Sequence, residues 1–194
     1  MTRLILVAAL AVLSGGCTAA PSQSHNDAHL AIAQPLRKPD VRYEPSPPKI
    51  VRAMLELAKV GKEDVVYDLG SGDGRIPIAA ARHYGARAIG IDIDPKLISR
   101  ANANARKAGV AELVTFRNED LFEADISGAT VVTLFLSPEV NLRLRRKLMN
   151  ELRPGARIVS HYHDMGDWKP YRTINVMGRP IYLWSITGSG GKEH

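Results

Sequence analysis

The chain has 194 residues, 45% of them hydrophobic and 24% charged, which suits one soluble domain plus an extension and calls for no covalent staples. Its single cysteine, Cys17, excludes an internal disulfide framework and a cysteine-based zinc site. The net charge of +6 is compatible with an anionic partner but does not by itself point to nucleic acid.

Residues 1–20 read as a targeting segment. Arg3 gives a positive start, Leu4 to Leu13 is an uncharged apolar run, and small residues follow from Ser14 to Ala20. The run is well short of the ~20 residues of a membrane span. Thr18 and Ala20 suit cleavage before Pro21, which makes this a signal peptide. Cys17 after Ser14-Gly15-Gly16 also resembles a bacterial lipoprotein box, with Leu13 one position further away than that box has it. The segment places the protein at a bacterial cell envelope, exported or membrane-anchored. The alternative is an inner-membrane anchor with the domain facing the cytoplasm.

Residues 21–44 lack periodicity and read as a flexible linker. Pro45, Pro47 and Pro48 hold the next stretch extended. A domain is expected over 45–187, and 188–194 reads as a disordered tail. Within the domain, Ile50, Val51, Met54, Leu55 and Ala58 repeat at helical spacing, closed by Gly61. Val65–Leu69 is a short apolar run before glycines, hence a buried strand. Ile76–Tyr84 is a helix with Pro77 tolerated in its first turn. Ala88–Asp92 is a strand and Pro95–Ala108 a helix stopped by Gly109. Leu113–Phe116 and Thr130–Leu136 are strands, Pro138–Leu152 a helix, and Arg157–His161 a fifth strand. Tyr171–Val176 and Pro180–Ile186 form a closing hairpin. The alternation predicts an α/β, Rossmann-like open twisted sheet, mostly parallel, with a C-terminal antiparallel hairpin.

The loop Asp68-Leu69-Gly70-Ser71-Gly72-Asp73-Gly74 joins the first strand to its helix, where open α/β sheets bind ligands. Glycines there let the backbone approach a ligand and take positive φ. Asp92, 24 positions on at the next strand end, can accept from both ribose hydroxyls. Asp120 and Leu121, after the third strand, suit an adenine amino group and ring. A dinucleotide fingerprint has Gly-x-Gly-x-x-Gly receiving a pyrophosphate, which Asp68 would repel. The same acid pairs well with an α-amino group. A ligand with adenine, ribose and a zwitterionic amino acid end, S-adenosyl-L-methionine, therefore fits better.

The stretch Tyr67 to Arg75 resembles motif I of class I S-adenosylmethionine-dependent methyltransferases, and Gly90–Asp94 and Asn118–Leu121 resemble their next two motifs. More narrowly, the chain is similar to the ATP synthase c-subunit lysine methyltransferase family, as a bacterial relative. That resemblance rests on Tyr43-Glu44-Pro45-Ser46-Pro47, Leu136-Ser137-Pro138-Glu139-Val140-Asn141, Ser160-His161 and Asp164-Met165-Gly166-Asp167-Trp168. It implies the class I methyltransferase fold and transfer of methyl to a deprotonated lysine amine by in-line displacement. It also implies a protein partner carrying a lysine acceptor, in a membrane setting. No nucleic acid partner and no metal are expected, and the chain is expected to act as a monomer. Two alternatives stay open: a small-molecule or lipid methyltransferase at the envelope, and a non-catalytic S-adenosylmethionine-binding protein.

Many amine methyltransferases carry Asn or Asp before Pro-Pro after the fourth strand, whereas this chain has Leu136-Ser137-Pro138-Glu139. Glu139, Tyr43 and His161 are the candidates for the acceptor side. Glu139 equally suits a first-turn acid on a helix dipole, Trp168 a lid or a core plug. The run Arg143, Arg145, Arg146, Lys147 suits a solvated helix face.

Overall fold

A computed structural model of the protein describes residues 36–188. The targeting segment, the linker through residue 35 and the tail from residue 189 lie outside the described residues. In chain order the elements are α1 (Pro48–Leu57), β1 (Val65–Leu69), α2 (Arg75–Tyr84), β2 (Arg87–Asp92), α3 (Pro95–Ala108), β3 (Val114–Asn118), β4 (Val131–Leu134), α4 (Pro138–Glu151), β5 (Arg157–His161), β6 (Arg172–Val176) and β7 (Arg179–Ser185). They build a seven-stranded sheet in the order β3-β2-β1-β4-β5-β7-β6. β1 to β5 run parallel, and β7 inserts antiparallel between β5 and β6. The expected architecture is thus observed, hairpin included. Among the described residues no helix is long and apolar enough to cross a membrane.

The sheet is covered on both faces, which explains why β1 and β4 are buried almost throughout and mostly apolar. One layer packs Ile50, Met54 and Leu55 of α1, Ala80 of α2 and Ala101 of α3 onto Val66, Val131 and Val159. The other packs Leu144 and Leu148 of α4, with Ile126 of the β3–β4 connection, onto Leu69, Leu134 and Ile158. Each of the fully buried Leu, Ile, Val and Met side chains contributes about 1.5–3 kcal/mol over an exposed one, which fixes α4 by its apolar stripe. Local chemistry sets the helix ends. The Asp94 carboxylate accepts from Lys96 N–H ahead of α3, and the Ser137 hydroxyl caps α4, with proline at the first helical position in both. The hairpin turns through Met177 and Gly178, both at positive φ (56° and 74°), as a two-residue type I′ turn demands.

The chain runs outward from β1 through β2 to β3, then returns to lay β4 on the other side of β1. This reversal splits the connections above the carboxyl ends of β1 and β4 and opens a crevice there. β4 stops at Leu134, two residues earlier than its apolar run suggests. Phe135 and Leu136 leave the ladder to line that crevice.

Candidate cofactor and acceptor site

The glycine loop crosses the crevice floor with Gly70, Gly72 and Gly74 all at positive φ (81°, 55° and 80°). Asp92 at the end of β2 holds it: Gly72 N–H donates to one carboxylate oxygen at 2.8 Å and Asp94 N–H to the other at 2.9 Å. The three glycines do different jobs. A Cβ on Gly70 would stand 2.7 Å from Leu136 Cδ2, closing the cavity that Gly70 lines. A Cβ on Gly72 would stand 2.4 Å from Tyr43 Cε2, so Gly72 is the seat of the tyrosine ring. Gly74 admits Phe116 and Ala101 and turns the chain into α2.

Above the loop lies a cavity of about 490 Å³, within the range of cofactor pockets. Asp92, Leu97, Asp120, Leu121 and Leu136 line it, in the places expected for ribose and adenine contacts. A small recess continues past Gly70, walled by Ser46, Asp68, Ser71, Asp73, Arg75 and Phe135. Asp68 does not face the main cavity; it belongs to this recess. Burial, reinforced by the carboxylates of Asp92 and Asp73, pushes it up to about 7, against the 2.7 Å bond it accepts from the Thr133 hydroxyl. The Ser71 hydroxyl is buried with no hydrogen-bond partner. An under-compensated carboxylate and an orphaned hydroxyl in one recess fit a zwitterionic amino acid end. The residues present therefore suit S-adenosylmethionine. Adenine and ribose would lie over Leu121, Asp120 and Asp92, and the amino acid end by Asp68 and Ser71.

The outer wall is the segment from Arg37 to Glu44, the end of the stretch that composition reads as a flexible linker. Here it is tied down. The Arg37 guanidinium makes a two-pronged ion pair with Asp120 and a further pair with Asp40. Arg143 of α4 bonds Asp40 at 2.8 Å and stacks its guanidinium 4.0 Å from the Phe122 ring centre. Both arginines hold Asp40, and Arg37 holds Asp120, below the ordinary carboxylate range. Asp120 thus faces the cavity but already carries an arginine and the Phe122 N–H. Arg37, Asp40 and Arg143 were not legible from sequence. Apart from the local Arg37–Asp40 pair, their contacts span 83 and 103 positions, and no local pattern marks such pairs.

The acceptor-side candidates separate. Tyr43 lines both the cavity and the recess, and burial, with Asp73 nearby, raises its hydroxyl above the ordinary tyrosine value. His161 is fully buried, bonded through Nδ1 to the Ser46 hydroxyl at 3.0 Å and stacked on Phe135 at 4.0 Å. Burial and nearby Arg179 push it down to about 4, so it is a neutral ring supporting Phe135 and Ser46 from behind. Glu139 is exposed in the first turn of α4 and lines none of the cavities described above. The Ser137 hydroxyl and the helix-end amides hold its carboxyl below its ordinary value, which is helix-end electrostatics. Trp168 packs on Trp184, whose indole N–H donates to its carbonyl at 2.7 Å, which makes it a core plug.

Comparison with known proteins bears on this geometry. A model of the ANTKMT methyltransferase domain family matches residues 68–172, more than half of the chain. The chain belongs to this family. It is similar, at 46% identity over 76% of its own length and 95% of the relative's, to a protein-lysine N-methyltransferase of Saccharolobus islandicus. The adenine nucleotide translocase lysine N-methyltransferase of Mus musculus is 34% identical over 80% of this chain and 67% of its own. A solved structure described as an RNA methyltransferase from Salinibacter ruber, in complex with S-adenosyl-L-homocysteine, superposes with a TM-score of 0.76. It is 55% identical over 77% of this chain and 98% of that one. The protein is therefore an S-adenosylmethionine-dependent methyltransferase of class I fold.

Proposed function

We propose that this methyltransferase modifies a protein lysine, at a membrane and as a monomer. The supporting observation is a second cavity of about 330 Å³ that shares Val41, Arg42, Glu44, Phe135 and Leu136 with the cofactor cavity and adds Tyr162, His163 and Arg179. Its lining is mixed: Val41, Phe135, Leu136 and Tyr162 offer an apolar side to an aliphatic stem, Glu44 offers a carboxylate to an amine, and Arg42, His163 and Arg179 make the rest polar. Bound S-adenosylmethionine supplies an electrophilic methyl group on a sulfonium. The chain's own residues do the rest. Phe135 and Leu136 form the wall between the two cavities, excluding water and orienting the acceptor for in-line attack. Glu44, which lines both cavities, receives the ammonium, which gives up its proton to solvent before attack.

The Salinibacter structure's description favours a second reading, an RNA acceptor. Three of the four basic side chains of the run on α4 are already in ion pairs, which weakens it as a platform for RNA. Arg143 is paired with Asp40, Arg145 with Asp167 and Lys147 with Glu151. The deciding experiment incubates the full-length protein with tritium-labelled S-adenosylmethionine and a cell extract, then separates protein, RNA and lipid. Methyllysine in the protein hydrolysate is expected. Label confined to RNA or lipid rejects the lysine reading. A C-terminal reporter fusion active on only one side of the membrane tests the envelope placement.

A further inference from the structure

The second cavity is lined by Tyr162, one of three non-glycine residues at positive φ among the described residues. Tyr162 has φ of +72°, which is uncommon for a bulky side chain. The His163 N–H donates back to the His161 carbonyl at 2.9 Å, so residues 161–163 form a γ-turn of the rare, strained sense.

The turn is held on every side. Tyr162 N–H donates to Pro180 carbonyl at 2.8 Å, pinning it to β7. The His163 carbonyl accepts from the Ser160 hydroxyl at 2.6 Å and from the buried Asn141 amide at 3.1 Å, pinning it to α4. His161, one residue before, is locked between Phe135 and Ser46. Glycine would adopt this backbone freely, yet the chain keeps an aromatic there, half-exposed, with its ring against His163 and the cavity. Strain maintained by so many contacts, under a side chain with little packing of its own, marks a side chain needed for something other than the fold.

We propose that Tyr162 is an acceptor-contacting, specificity-determining residue. Its ring and that of Phe135 form the two aromatic sides of a slot for the aliphatic stem of a lysine, with Glu44 at the end where the amine arrives. The exposed Glu44–Arg179 pair, 3.9 Å apart, sits on the rim and can open to release Glu44 to the incoming ammonium. This rests on the lysine reading above and goes beyond it by naming the slot.

The test uses the full-length protein with Tyr162→Gly and Tyr162→Asn, both of which tolerate positive φ and so keep the turn, and with Tyr162→Phe. The readouts are methyllysine formed in a protein extract from labelled cofactor, and affinity for S-adenosylhomocysteine by calorimetry. The Gly and Asn variants are expected to lose at least about tenfold in methyllysine rate, the loss falling on the acceptor's apparent KM, with cofactor affinity within twofold of wild type. The Phe variant should retain at least half the rate. Rates within twofold of wild type in the Gly and Asn variants overturn the proposal. So does a fall in cofactor affinity proportionate to the loss of rate. A wild-type protein that forms no methyllysine but labels RNA removes the lysine reading and this slot with it. Equal labelling by wild type and variants removes the slot alone.

Discussion

Asp64 immediately precedes β1 and Asp68 stands near its carboxyl end, and each accepts a short bond from a threonine hydroxyl on the neighbouring chain segment, Thr130 at 2.6 Å and Thr133 at 2.7 Å. Beyond that shared partner the two surroundings diverge. Asp64, at the amino end, also receives the Gly61 N–H and the Arg157 guanidinium, and these hold it below its ordinary value despite burial. Asp68, near the carboxyl end, is buried beside two carboxylates, while the Arg75 of its recess is paired with Asp73, and it sits at about 7. The same residue type is neutralised just before the strand, where the sheet needs stability, and left without an ion-pair partner near the strand's far end, where the sheet needs a ligand. The missing partner at Asp68 matches an α-ammonium group.

The comparison can be broken from either end. The largest expected effect is on stability. Arg157→Ala strips Asp64 of its counter-charge and should cost about 2–3 kcal/mol, read from urea midpoints, while cofactor affinity of the folded fraction stays unchanged. A parallel loss of affinity would show that the two ends are not independent.

Asp68→Asn should do the reverse, weakening S-adenosylhomocysteine binding about tenfold or more. Because the folded-state value is raised above the ordinary 3.8, ionised Asp68 destabilises the native state progressively from pH 4 to about 7. The Asn variant should therefore melt higher than wild type at pH 8 and level with it at pH 4. Asp64, with its lowered value, contributes stability at neutral pH that is lost on acidification. Wild-type cofactor affinity should rise between pH 5.5 and 7 with proton release, and the Asn variant should show a flat profile over that range. An equal slope in both proteins would remove Asp68 from the binding site.

The smallest effect concerns the outer wall. Arg37→Ala frees Asp120 and loosens the segment from Arg37 to Glu44, so both association and release of the cofactor should quicken several-fold in stopped-flow traces, with little change in equilibrium affinity. Salt should bring wild type toward the variant, since the pair is half-exposed. Unchanged rates would make that segment a passive cover.

The cofactor end of the molecule was legible because its chemistry is local. Strands buried on both faces read as apolar runs, and Gly70, Gly72 and Gly74 follow one of them at positions where the backbone takes positive φ. Asp92 and Asp120 stand at successive strand ends, so finding the strands finds them. The acceptor side was not legible because its geometry is assembled from distant pieces. Phe135 and Leu136 look like the end of a strand until the ladder stops at Leu134. Tyr162 is no turn former, and its γ-turn exists only because β7 and α4 hold it. Glu44 sits in a stretch whose composition says linker, and its seat on the site comes from Arg75 donating to the Ser46 carbonyl at 2.9 Å and from the His161–Ser46 bond.

The insertion of β7 between β5 and β6 has a consequence in time. A chain emerging from its N-terminus has all the cofactor-contacting residues once Val140 is made. The clamp on Tyr162 waits for Pro180, and the rim ion pair for Arg179, some forty residues later. Synthesis thus delivers the residues lining the cofactor cavity first and those of the proposed acceptor slot last.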